Sequence, residues 1–129
     1  MFRSGPVPAR AGFPTIGPME PVTRDVVLDV RLDRPKDTHR VEVRRIQMAP
    51  NVAAGLHVHN GPVVGTIVEG SVWFQVDGGT ESVLEPGDTF FEPEGTRIRR
   101  FDARDAGVTF LAYFLLGPEQ DAEMTFPEA

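Results

Sequence analysis

Cysteine is absent from the 129-residue chain, which excludes disulfides, thiolate metal sites and cysteine nucleophiles together. No apolar run approaches the roughly 20 residues that a membrane-spanning helix needs. Positive charge is in deficit: 13 Lys and Arg stand against 19 Asp and Glu, giving a net charge of -6. That balance argues against nucleic acid or an anionic membrane as a partner. The basic stretch "RIRR" at 97–100 is too short, and is interrupted by Ile98. The first residues lack the continuous apolar core of a secretory signal, so a cytoplasmic location is the expectation. Also missing are a Gly-x-Ser-x-Gly elbow, a phosphate loop ending in Gly-Lys-Ser/Thr and a Gly-x-Gly-x-x-Gly fingerprint, so nothing suggests nucleotide binding.

What remains is a chain that is 40% hydrophobic and 25% charged, of a length that suits one domain with one core. Residues 1–21 carry five prolines and three glycines and read as an extended arm, either docked on the domain or on a partner subunit or left as a tail. The domain is expected over 22–129. From residue 24 onward the pattern is one of strands. "RDVVLDVRL" (24–32) alternates, with Val26, Leu28, Val30 and Leu32 on one face. "HRVEVRRIQM" (39–48) alternates again, with Val41 and Val43 together. "VVGTIVEG" (63–70) and "SVWFQV" (71–76) are β-branched and aromatic, and "DGGT" (77–80) signals a hairpin before "ESVL". "PGD" (86–88) is a further turn before "TFFE", and "RIRRFDA" and "VTFLAYFLL" (108–116) complete roughly eight short strands. No amphipathic helix is evident. The fold class predicted is all-β, a sandwich or barrel.

His57 and His59 are the candidate functional pair. In a strand, residues two apart project to one face, so both imidazoles enter the same space and can share one metal ion. The same two residues could act as acid and base, since histidine titrates near neutrality. His39, the third histidine, reads as a surface or turn residue. Aromatic residues on the proposed strands fill the core, and any at the mouth of a barrel would suit a small organic ligand. Arg97, Arg99 and Arg100 could pair with an anionic substrate, or with nearby acids such as Glu94 and Asp102.

The stretch 51–70 resembles the first motif of the cupin superfamily: Gly, five residues, His-x-His, three or four residues, Glu, six residues, Gly. Asn51 stands at the first Gly, His57, His59 and Gly70 match, and the Glu position falls on Val63. Asparagine is a tolerable stand-in because it visits the left-handed region. The stretch 87–102 resembles the second motif, with Gly87, Pro93 and Gly95 in register. There the histidine position falls on Ile98 and the asparagine position on Asp102.

The resemblance implies a single-domain jelly-roll barrel, commonly paired as a homodimer. It also implies dioxygenase, isomerase, lyase or cyclase chemistry on a small molecule, without choosing among these. The superfamily's usual ligand set of three histidines and a glutamate holds iron, manganese, nickel, zinc or copper, and this chain matches two of the four. With Val63 and Ile98 in the other places, a divalent metal is expected to bind weakly or not at all unless a third ligand exists. Glu92 is the first candidate, because an ionised carboxylate facing a barrel core is costly unless paired or bound to a cation. Asp102 and Glu69 come after it. The competing expectation is a metal-free cupin, ligand-binding or structural, with its old site filled by Val63 and Ile98. An open cavity reaching the histidines would favour the first reading and a packed interior the second.

Overall fold

The computed structural model describes residues 20–128, so the arm expected over 1–21 lies outside the described residues except for its last two positions. Seven strands follow one another among the described residues: β1 (Arg40–Met48), β2 (Val58–His59), β3 (Val63–Val76), β4 (Ser82–Leu84), β5 (Thr89–Glu92), β6 (Ile98–Leu116) and β7 (Met124–Thr125). The described residues contain no helix, and so none long and apolar enough to cross a membrane. The all-β expectation holds, and the architecture is an antiparallel jelly-roll barrel.

The main sheet runs β1-β6-β3-β4, with β5 sharing the outer edge of β3, while β2 pairs with β7 in a second, short sheet. All pairings are antiparallel. The hairpin from β3 to β4 turns where "DGGT" predicts it, with Gly78 at φ 78°. Asn51 sits at φ 62° and Gly70, Gly87 and Gly95 at 73°, 91° and 72°, so the positions read as motif turns do occupy left-handed backbone.

Two expectations need correction. The stretch 24–32 is no strand: it runs extended over the surface with Val26 and Val27 exposed. Alternation makes a strand only beside an edge that offers a ladder, and this segment instead accepts one side-chain hydrogen bond at the Val27 carbonyl, from Thr89 Oγ1 at 2.7 Å. Second, the segments read as four strands within 63–76 and 98–116 are two, β3 and β6. Gly70 and Gly107 face one another at left-handed φ, and a Cβ on Gly70 would come within 2.0 Å of the Gly107 carbonyl oxygen. Both strands bend there, at a register shift between Gly70 and Val72, and continue. Val41 and Val43 share one side of β1, as their alternation indicates, and it is the outer side, where they are 53% and 50% exposed. Register pairs Glu42 with Phe114, Arg44 with Ala112 and Ile46 with Phe110, all buried residues of β6, so the even-numbered positions of β1 turn inward.

The core gathers Val63, Ile67 and Val72 of β3, Phe90 of β5 and the alternating Phe110, Ala112, Phe114 and Leu116 of β6. Phe74, Phe90, Phe101 and Phe110 interlock, with ring centroids 4.7 to 6.0 Å apart in tilted and edge-to-face pairs. Each such pair contributes about 0.5–1.5 kcal/mol beyond its burial. Three of these rings, Phe90, Phe101 and Phe110, also wall the cavity inside the barrel.

Candidate metal centre

Two rows of inward-facing residues cross the sheet. The first runs Glu42, Phe114, Val63, Glu92 from β1 through β6 and β3 to β5. The second, one step along, runs Arg44, Ala112, Gly65, Phe90. Ala112 is small and leaves space on this row that a larger side chain would fill. Gly65 has none to spare, because a Cβ there would lie 2.2 Å from Phe90 Cζ and 2.5 Å from the Leu111 carbonyl oxygen. Over Ala112 the barrel holds a cavity of about 340 Å³, lined by apolar residues of β1, β3, β5 and β6 and reached by His57, His59 and Glu92. The interior is therefore open at the histidines.

His57 and His59 both face this cavity, their rings edge to face with centroids 4.9 Å apart. His57 is fixed by a bridge to Ile98, exchanging backbone hydrogen bonds of 2.8 and 3.3 Å. Its Nδ1 donates to the Gly55 carbonyl at 2.7 Å, which leaves Nε2 to face the cavity. His59 lies on β2, whose pairing with β7 holds it in place. Glu92 enters from β5. His59 Nε2 is 2.6 Å from its Oε1 and His57 Nε2 is 3.5 Å from the same atom.

The three are only 3%, 6% and 3% exposed, in the order His57, His59, Glu92, and their potential ligand atoms all lie within 4.8 Å of one another. Burial, the largest influence on Glu92, pushes its carboxyl up, but hydrogen bonds from His57 and His59 and the charges of both rings bring it below the ordinary carboxylate value. Burial pulls His57 down, yet the Glu92 carboxylate and the Gly55 carbonyl together leave its imidazole above the ordinary histidine value. The centre thus favours a carboxylate beside a cationic partner.

Two positions of the motif explain how the chain assembles three donors where its pattern supplies two. Val63, at the glutamate position, is the direct register partner of Glu92, and Ile98, at the histidine position, is the bridge partner of His57. A carboxylate thus reaches the site from the strand beside the one that the motif uses. The other candidates stay outside. Glu69 is exposed and Asp102 accepts from Arg100 Nε at 2.7 Å. His39 is exposed and its Nε2 lies 2.9 Å from an Asp37 carboxylate oxygen. Arg99 pairs with Asp77, and Arg100 with Glu81 and Asp102, so these two take the surface-pair reading.

Sequence reasoning missed two contributors. Arg44 lines the cavity from β1, and the inward register that reveals it runs against the more apolar alternation of Val41 and Val43. The segment 121–125 passes beside the cavity, pinned by Asn60. Asn60 Nδ2 donates to the Asp121 carbonyl at 2.8 Å, and its Oδ1 accepts from the Glu123 amide at 3.0 Å. Nothing in the acidic, weakly patterned sequence there signals it.

A zinc or similar ion takes nitrogen and oxygen ligands at about 2.0–2.2 Å, so donor atoms about 3.0–3.5 Å apart can share one. The His57–Glu92 spacing of 3.5 Å lies in that range, and the 2.6 Å His59–Glu92 bond opens to it by a small side-chain movement. Two imidazoles and a carboxylate are a donor set for first-row divalent metals.

Residues 44–110 match the family model of the cupin domain. Among solved structures, an oxalate oxidase in complex with the substrate analogue glycolate superposes with TM-score 0.57 at 20% identity, over 67% of this chain and 45% of that one. The DMSP lyase DddQ from Ruegeria pomeroyi gives 0.58 at 23% identity, over 73% of this chain and 46% of that one. An RmlC-like cupin from Shewanella frigidimarina gives 0.54 at 26% identity, over 63% and 70%. The chain spans less than half the length of the oxalate oxidase and lyase chains it resembles. No curated protein sequence matches it. With the family model covering just over half of its residues, on a fold shared with solved cupins, the chain belongs to the cupin family.

Proposed function

We propose that His57, His59 and Glu92 bind one divalent transition metal, among iron, manganese, nickel, zinc and copper, and that the protein acts on a small organic molecule taken into the adjoining cavity. The convergence of these three buried donors beside an open, largely apolar space carries the reading. Bound there, the ion would supply Lewis acidity, polarising a ligand oxygen or lowering the pKa of a bound water. The chain's own residues set the conditions. The Gly55 carbonyl fixes the His57 tautomer, so that Nε2 is the atom offered. Phe114 packs against His59, with ring centroids 6.1 Å apart, and with the other aromatic walls makes the lining largely apolar. Glu92 neutralises part of the ion's charge at low dielectric. Dioxygenase and isomerase-type reactions both fit such a centre. Oxalate oxidase and DMSP lyase, which share the fold, act on small molecules, in keeping with the size of this cavity.

A second reading has one observation in its favour, the 2.6 Å contact between His59 and Glu92. In a metal-free protein it forms a buried imidazole–carboxylate pair able to take or give a proton to a ligand. Calorimetric titration of chelator-treated protein with each divalent ion separates the two. The metal reading expects one site per chain, lost in the His57→Ala/His59→Ala variant. Heats no larger than those of that variant for every ion would leave the acid–base pair instead.

A further inference from the structure

The cavity walls are apolar over most of their extent, and among the described residues one cationic group besides the imidazoles lines them: Arg44. It stands on β1 directly across from Ala112, over which the cavity lies. Its side chain is 46% exposed, which places it at the cavity's mouth. The guanidinium carbon lies 4.9 Å from the centre of the Phe114 ring, the same ring that packs against His59. Glu42 engages Nε and Nη2 of Arg44 through Oε2. That contact holds one edge of the fork and leaves the Nη1 donors without a partner among the described residues. A surface ion pair with Glu42 alone would contribute little to stability.

We propose that Arg44 is the anchor for a carboxylate on the cavity's ligand, which is therefore an elongated, apolar-bodied monocarboxylate. This rests on the reading of the cavity as a small-molecule site. Guanidinium meets carboxylate through paired, charge-assisted hydrogen bonds, and Glu42 pre-orients the fork for them. The ligand's body lies across Phe114 and over Ala112, against Ile46 and Met48. Arg44 and His59 both pack against Phe114, 4.9 and 6.1 Å from its ring centre, so a ligand held at Arg44 extends its body into the space that His57, His59 and Glu92 reach. A two-carbon acid lacks the apolar body that a largely apolar cavity of about 340 Å³ would bury.

The test uses hexanoate, benzoate and phenylacetate, each against its uncharged amide, with acetate as a short control, on metal-free full-length protein by ligand-observed NMR and calorimetry. The carboxylates are expected to bind about tenfold or more tightly than their amides, and acetate weakly. In Arg44→Gln the preference should vanish, and in Arg44→Lys it should persist in part. Equal affinity for acid and amide, a preference that survives Arg44→Gln, or no binding by any of the three longer acids would overturn the assignment. Metal titration of Arg44→Gln keeps the two readings apart. An Arg44-dependent carboxylate preference in a protein that binds no metal would sink the metal centre and leave the anchor. Normal metal binding with no carboxylate preference would do the reverse.

Discussion

Moving the carboxylate from one strand to its neighbour tests the geometry of the centre. Glu92 and Val63 are register partners, both buried and both turned inward. Side chains directly opposite in an antiparallel pair have Cβ atoms about 4.5–5.5 Å apart, within the reach of a glutamate. Glu92→Val leaves two imidazoles. Four-ligand zinc sites bind with about 10–16 kcal/mol, so one ligand accounts for about 3 kcal/mol, and the single change should weaken binding roughly a hundredfold. Adding Val63→Glu should restore affinity to within about tenfold of the parent, because the carboxylate returns to the same space. Competition with a chromophoric chelator, using cobalt or zinc, reads both changes, and thermal midpoints confirm that each variant is folded. A folded double variant as weak as Glu92→Val would refute the placement of Val63 and Glu92 about one centre.

Other consequences follow from the same coordinates. In the metal-free protein His57 titrates above its ordinary value, so its contribution is full below about pH 6.5 and is lost as pH rises through the folded pKa. Glu92 titrates below its ordinary value, so its contribution is present above about pH 4.3 and is lost as pH falls through the folded pKa. The thermal midpoint should peak between those limits, and Glu92→Gln should flatten the profile; an unchanged profile in that variant would contradict the pairing. Gly65→Ala should cost about 1–3 kcal/mol, read as a lowered denaturation midpoint, since the new methyl meets a backbone carbonyl as well as a ring. Wild-type stability there would mean that β3 and β6 are less closely packed at this point. Among the described residues β1 is an edge strand with Val41 and Val43 exposed on its outer face, so a homodimer is expected by light scattering, and a monomer at tens of micromolar would remove that expectation.

The fold was legible because its signals are local. Turn residues at Asn51, Gly70, Gly78, Gly87 and Gly95 need left-handed backbone, and they punctuate β-branched runs. The extents of β3 and β6 were not legible, because whether a glycine ends a strand or bends it depends on what lies across from it, here Gly107 opposite Gly70. The facing of β1 was hidden for a related reason. Hydrophobic alternation marks Val41 and Val43, but register with Ala112 and Phe114 decides, and it turns Arg44 inward. At the site, the His57–His59 pair needed only the two-residue period of a strand. Glu92 could be picked out as a carboxylate within an aromatic run. That it completes the set in place of the residue at Val63 needed the pairing of β3 with β5, which no spacing along the chain encodes.

The central claim is that two imidazoles from one stretch and a carboxylate from β5 form a working metal centre. Elemental mass spectrometry of untagged protein, beside the His57→Ala/His59→Ala variant, addresses it most directly. The account predicts close to one transition metal per chain in the parent and almost none in the variant. Metal absent from both, even after incubation with divalent ions, would contradict it and leave a cupin that has kept the barrel and lost the ion.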